Sequence, residues 1–335
     1  MVHRNLTKII LILTTMSIFA AVSCKNDVTV TGKTEDKQEE KKEEEGKDSK
    51  KPWPESGMED KTYITNGKVQ IGIDLTRGGS IFHFSDAVRK QNALNHADAG
   101  RFVQQSYYGS SDGSNWNGTP WSYNPIQGGG YKPDCYAKVV SCNIQGDRAR
   151  VVTTPMHWAT CQLLEECSMT EDITLDGNMA HIRYSFSYNG TKAHGSTHQE
   201  MPAVFIDWTL GTLVYYNGTA PWKDGALTRA EVPSATTTAG INKYLQGTSW
   251  SEKWAAYVGN DGWGVGAYSP STTLCTYYRF GSGSSTGPKG GDCSYFSPLD
   301  SFALTPGMNK SYDVYLYLGT AEEIRAAFKA IAVKK

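Results

Sequence analysis

His198 and Glu200 stand two apart in "STHQEMPAVF", and on an extended segment side chains at that spacing project from the same face. An imidazole and a carboxylate so placed suit proton transfer, with the glutamate orienting or tuning the histidine. Glu200 also suits one half of a glycoside-hydrolysing centre, which needs two carboxylates across the scissile bond. Glu252 in "WSEKW" is the candidate for the second. Asp207 in "FIDW" lies an odd number of residues from Glu200, so the two face opposite ways unless Pro202 bends the strand. A solvated charge at a strand edge is the plainer reading of Glu252. His157 and His194 extend the inventory, but a lone His-x-Glu lacks the two further ligands a metal centre requires, so no metal is expected.

Upstream, "HADAGRFVQQSYYG" crowds Arg101, Gln104 and Gln105 onto one strand-like run. A guanidinium fork and two carboxamides can hold sugar hydroxyls or a uronic carboxylate. The competing reading pairs Arg101 with Asp98 to close a sheet end. Aromatic residues follow directly: "SYYGSSDGSNWNGTPWSYNPIQGGGY" contains Tyr107, Tyr108, Trp116 and Trp121. The chain has nine tryptophans and nineteen tyrosines, many in polar, glycine-rich loops where burial is not their whole purpose. Flat rings with a polar handle suit pyranose faces, against the alternative that they cover the ends of the fold.

These residues need a scaffold, and the sequence supplies one of strands. Alternating runs such as "KVQIGIDL", "GSIFHFS", "RARVVTTP", "MAHIRYSFSY", "AVFIDW", "CTYYRF" and "SYDVYLYLG" recur, separated by turns such as "RGG", "QGDR", "LDGN" and "NDG". Period-two patterning over many short segments predicts a large all-β sandwich. The clear helix is C-terminal, "TAEEIRAAFKAIAVKK", with Thr320 as cap, Glu322 and Glu323 in the first turn, and Ile324, Ala327, Phe328 and Ile331 on one face.

The 335 residues divide by composition. Residues 1–23 read as a signal peptide, and its end, "AAVSC", resembles the lipobox of bacterial lipoproteins, which implies lipidation of Cys24, a membrane anchor and a cell-envelope location at the outer membrane. Residues 24–57 mix Lys, Glu and Asp with almost nothing to bury and read as a solvated tether. Residues 58–335 form the single folded domain. Formal net charge is -1, which argues against a nucleic-acid partner. Seven cysteines less Cys24 leave six, enough for three disulfides in fifteen pairings. A bridge between Cys135 and Cys142 is disfavoured, since "CYAKVVSC" as one strand holds them too far apart. No G-x-S-x-G, P-loop or dinucleotide fingerprint occurs, and no cofactor is expected.

"ITNGKVQIGIDLTRGGSIFHFSD", "TEDITLDGNMAHIRYSFSYNG" and "EKWAAYVGNDGWGVGAYSP" resemble strand and turn patterns of the galactose-mutarotase-like β-supersandwich, over most of residues 60 to 320. The resemblance implies a large antiparallel supersandwich with a concave sheet that binds sugars, in which Gly100 and Arg101 match a cleft-lining segment. The superfamily includes epimerases, lyase and hydrolase domains and binding modules. No N-H-x-Y-F-N-L-like segment of the aldose epimerases is present, which argues against simple mutarotation. The expectation is thus a lipoprotein that cleaves a polysaccharide or oligosaccharide, with His198, Glu200 and Glu252 catalytic, or one that binds glycan without chemistry.

Overall fold

The computed structural model describes residues 60–96, 98, 100–130, 134–237, 240–283 and 291–334. The signal peptide, Cys24 and the tether lie outside the described residues.

The described chain begins with β1 (Lys61–Thr65), β2 (Val69–Asp74) and β3 (Ser80–Asp86), a three-stranded antiparallel sheet. The Gly78–Gly79 turn between β2 and β3 has positive φ at both residues, and a Cβ on Gly78 would lie 1.6 Å from the Gln127 carbonyl oxygen. Only glycine fits there. Next come β4 (Gln104–Ser106), the small hairpin β5 (Ser111–Trp116) and β6 (Thr119–Ser122), and β7 (Pro125–Ile126). The long strands follow as β8 (Lys138–Gln145), β9 (Arg148–Thr154), β10 (Met156–His157), β11 (Cys167–Asp176), β12 (Met179–Tyr188) and β13 (Thr197–Asp207). Then come β14 (Thr212–Tyr216), β15 (Leu227–Glu231), β16 (Ser234–Ala235), β17 (Lys243–Gln246), β18 (Trp254–Val258) and β19 (Trp263–Tyr268). β20 (Leu274–Phe280), β21 (Cys293–Phe302), β22 (Met308–Thr320) and the helix α1 (Ala321–Ala332) complete the chain.

Two large sheets result, as the alternating sequence predicts. One runs β10-β7-β4-β13-β21-β20-β16, with β17 also on β20; the other runs β15-β14-β18-β19-β22-β12-β11-β9-β8. Their pairings are antiparallel except β16 on β20. Every second residue of the long strands enters the space between the sheets: Met169 and Ile173 on β11, Ile182 and Phe186 on β12, Val314 and Leu316 on β22, facing Val204, Ile206 and Phe296. Tyr107 stacking on Phe186 at 4.2 Å joins the two layers. The protein is therefore a large antiparallel β-supersandwich with one short C-terminal helix.

Helix α1 covers the outer face of the nine-stranded sheet. The Thr320 hydroxyl accepts from Glu323 N, and Glu323 Oε2 accepts from Thr320 N at 2.8 Å, a reciprocal cap. Ile324 and Phe328 are fully buried against Val214, Trp254 and Tyr268, so the apolar stripe is a packing face.

One inward position of β11 is a glutamate. Glu171 lies between Met169 and Ile173, has no exposed surface, and faces Tyr184, Gln127, Tyr107 and Tyr312 across the interior. Neither carboxyl oxygen nor the Tyr184 hydroxyl has a hydrogen-bond partner in range. Burial, only partly countered by Gln127, pushes the Glu171 carboxyl up to about 8. Between the unfolded value near 4.5 and 8 the folded chain therefore holds a proton that the unfolded chain releases, so this group's contribution to stability falls as pH rises through that window. Glu171→Gln should remove that slope and gain roughly 5 kcal/mol on the wild type between pH 4 and pH 9. Chemical denaturation across that range checks it; parallel pH profiles for the two proteins would show that Glu171 is not the source.

Candidate functional site

The outward face of the eight-stranded sheet carries the groups that can meet a ligand, and a local irregularity in β13 decides which they are. Glu200 pairs with Leu299 and Val204 with Phe296, so three residues of β13 oppose two of β21. The extra residue, beside Pro202, reverses the inward-outward parity of the strand. Glu200 faces outward before the bulge, and Ala203 and Phe205 face outward after it, clustered with Cys293 and Tyr295. Proline suits this position because it has no N–H to contribute to the ladder.

Glu200 is half-buried at the centre of this face. Tyr295 on β21 donates its hydroxyl to Oε1, and Tyr108 donates to Oε2 at 3.1 Å. Ser106 on β4, directly across from Glu200, adds a third hydroxyl. Burial pushes the Glu200 carboxyl above its ordinary value, and the hydroxyls of Tyr295, Ser106 and Tyr108 work against that shift. Burial also pushes the Tyr108 and Tyr295 phenols well up, and the charge of Glu200 raises them further. They stay protonated donors at physiological pH. Tyr278 stacks on Tyr295 at 4.3 Å, and Phe205 packs against Tyr295 at 4.7 Å, giving the carboxylate an aromatic floor.

Arg101 reaches the same face from the loop before β4. Its guanidinium lies over Phe280 at 4.5 Å, Nη1 donates to Gly291 O at 2.7 Å, and Asp98 sits 3.5 Å away. The charges of Arg101, Glu200 and Asp98 all act on the Tyr278 phenol, which places the three around one centre. Both readings of Arg101 hold together: Asp98 orients it, and its guanidinium lies over Phe280 on the outward face. Gln104 also faces this side, with Nε2 donating to Gly100 O at 3.0 Å and a buried Oε1 that has no partner. His198 is exposed, its Nδ1 is 2.9 Å from the Ser301 hydroxyl, and its ring is 6.4 Å from that of Tyr244. Trp116 and Trp121, half-buried on the β5–β6 hairpin, pack on each other at 5.3 Å, with Trp158 6.2 Å from Trp116.

Three expected site residues belong elsewhere. Glu252 is buried on the far side of the molecule, beneath α1. Arg325 Nη2 donates to its Oε1 at 2.6 Å and Nε to its Oε2 at 3.0 Å, with Trp222 N and Trp254 Nε1 completing its shell. It shares no partner with Glu200, so the two-carboxylate pair expected of them does not form; Glu252 is a helix anchor. Gln105 and Tyr107 point into the sandwich. Gln105 Nε2 donates to Thr170 O at 3.2 Å, and the wholly buried Tyr107 donates to Gln105 Oε1 at 2.9 Å. Neither can touch a ligand on the open face. Asp207 does share the outward face with Glu200, through the bulge, but it lies near the other end of β13 and its Oδ1 is taken by Thr209 N and Oγ1.

His157 and His194 are structural. His157 Nε2 meets Asp112 Oδ2 at 2.8 Å and so pins the hairpin, and His194 stacks on Tyr123 at 4.6 Å. Cys135 bridges Cys161, 26 residues on, while Cys142, Cys167, Cys275 and Cys293 are free. Sequence reasoning missed Tyr295, Tyr278 and Phe205. "CSYFSPLDSF" alternates less cleanly than its neighbours, because Pro298 interrupts it beside the bulge; its adjacency to "CTYYRF" was the available signal. Two surface grooves lie away from this face, and their charges pair with each other: Arg150 with Asp172 in one, Lys329 with Asp224 in the other.

No protein-family model matches the chain, and no curated protein matches it in sequence. Among solved structures it is similar to a galactose mutarotase related enzyme from Lactobacillus acidophilus, at 12% identity and TM-score 0.48, over 78% of this chain and 97% of that one. A galactose mutarotase-like protein from Lactobacillus casei is similar at 11% identity and TM-score 0.47, over 77% and 100%. A GH36 α-galactosidase from Geobacillus stearothermophilus is similar at 9% identity and TM-score 0.46, over 78% of this chain and 40% of that one. These likenesses lie in the path of the chain.

The cradle makes a direct demand. Removing a hydroxyl that stabilises the charged carboxylate should raise the Glu200 pKa further, by about one unit for a bond to a charged group. Carboxyl-carbon NMR titration of wild type and Tyr295→Phe measures this; an unmoved Glu200 pKa would mean that the tyrosines do not govern it.

Proposed function

We propose that the open face of the eight-stranded sheet binds a polysaccharide or oligosaccharide and that Glu200 is the proton-transfer group there. The observation that supports this most is a carboxylate with a raised pKa, cradled by tyrosine hydroxyls on an aromatic floor on the face that Arg101 also reaches. Apolar rings for pyranose faces and convergent polar groups for hydroxyls are what a saccharide asks of a surface. A raised pKa moves Glu200 toward the proton affinity useful to a general base.

The separation of Glu252 from this face favours β-elimination over two-carboxylate hydrolysis. In that reaction Glu200 takes the proton from the carbon next to the uronate carboxyl, the glycosidic C–O bond breaks, a tyrosine hydroxyl protonates the departing oxygen, and Arg101 stabilises the charge building on the carboxylate. The second reading, glycan capture without chemistry, draws on the same cradle, because a carboxylate already holding several hydroxyls is a weakened base. A cell-envelope lipoprotein anchored through Cys24 suits either reading, and the Cys135–Cys161 bridge suits an oxidising compartment.

Incubation with neutral and uronate-containing polysaccharides separates these readings. Absorbance from a new unsaturated sugar end with wild type, abolished in Glu200→Gln, is the outcome expected. Retention of glycan without product, weakened at least tenfold in Glu200→Gln, would replace elimination by capture. Neither product nor retention would remove the saccharide reading. In the expressing cells Cys24→Ala should move the protein from the membrane to the soluble fraction, and unchanged partition would dismiss the anchor.

A further inference from the structure

The open face extends beyond Glu200 in both directions across the strands, and aromatic rings mark each end. On one side the β5–β6 hairpin continues the β4–β7 ladder, through Gly109 N to Tyr123 O at 2.7 Å and Tyr123 N to Ser110 O at 3.1 Å. Its base is held at β10 by the Asp112–His157 bond. The hairpin thereby brings Trp116 to Trp158, and Trp158 stands beside Gly100, where an added Cβ would lie 3.3 Å from its ring, in the loop that delivers Arg101. On the other side Tyr244 on β17 pairs with Thr276 of β20, which shares its outward face with Tyr278. The Tyr244 side chain is 48% exposed, large for a tyrosine within a sheet, and leans back to within 6.4 Å of the His198 ring.

Between these ends the face offers polar groups in the intervals between rings. Ser106 and Glu200 stand on adjacent strands, Ser301 and His198 on the next pair, and Asn242 meets Thr276 at 3.3 Å beside Tyr244. The pattern does not suit an apolar partner surface, because carboxylate, imidazole and hydroxyls interrupt it and would be left unpaired beneath a dry contact. It also exceeds what one sugar can cover. Trp158 follows β10 and Tyr244 stands on β17, six strand spacings apart in the sheet order or roughly 29 Å between the strands, with the Tyr244 ring leaning inward from its end. One pyranose unit advances a glycan chain by about one such spacing.

We infer that the site takes a linear oligosaccharide of about four to six units laid across the strands, with Glu200 under an internal unit and the Trp158 cluster and Tyr244 as the terminal platforms. This rests on the saccharide reading and adds to it the length, direction and internal position of the ligand. An internal position places chemistry within a chain, so products would be oligomers and not single sugars released from an end. The terminal rings add affinity only for chains long enough to reach them, which makes chain length the discriminating variable.

Isothermal titration with cello-, xylo- and galacturono-oligosaccharides of one to eight units tests it, using the wild type, Tyr244→Ala and Trp158→Ala. For the series that binds, affinity should rise at least tenfold from two units to the four to six that bridge the platforms and then level off. Tyr244→Ala should lose about tenfold for the six-unit ligand and nothing for the two-unit ligand. Tyr244 is the safer variant because its ring is exposed; Trp158→Ala should act likewise from the other end. A monosaccharide that binds as tightly as the hexamer, or a Tyr244→Ala loss equal at all lengths, would overturn the extended site and leave saccharide binding intact. Absence of binding in all three series at every length would overturn both.

Discussion

In β13, three residues stand where β21 has two, and the outward face of the eight-stranded sheet takes its composition from that mismatch. A regular strand would alternate without a break, so residues at odd separation would face opposite ways. The bulge restores Glu200 and Phe205 to the same side, brings Tyr295 under both, and sends Met201, Val204 and Ile206 into the core. The cost is a local gap in the ladder, placed where proline has no donor to lose. Glu200, the aromatic floor and the inward apolar set all depend on that single extra residue.

Three buried or half-buried glutamates show how differently one side chain can be accommodated. Glu252 is neutralised by a bidentate arginine and two N–H donors, and it ties α1 to the nine-stranded sheet. Glu171 has no partner in range and answers by holding its proton. Glu200 has hydroxyl donors and, among the described residues, no cation bonded to it, so its charge is supported without being cancelled, on a residue that is only half-buried. Of the three, only the last environment combines access with a proton affinity that a ligand can use.

Much of the scaffold was legible because its signals are local. The capping box at Thr320 and Glu323, the turn at Asp176 and Gly177, and the alternation of β11, β12 and β22 each lie within a few residues. The sites of Glu252, Gln105 and Tyr107 were not legible, for reasons of distance and parity. The partner of Glu252 stands 73 residues later, on a helix whose apolar stripe gives no hint that Arg325 turns inward. β4 is only three residues long, too short for its alternation to tell which of Gln104, Gln105, Tyr107 and Tyr108 face the ligand side. Glu200 and Tyr108 were identified as single residues, but their contact joins positions 92 apart and arises only when β4 lies beside β13.

The most direct measurement is a crystal structure of the protein grown with a bound tetrasaccharide from the series that it retains. The account predicts continuous sugar density across the strands of the eight-stranded sheet, with a sugar oxygen or ring hydrogen within contact of the Glu200 carboxylate and a ring face on Tyr278. Sugar bound on the nine-stranded sheet, or along an edge out of reach of Glu200, would contradict it.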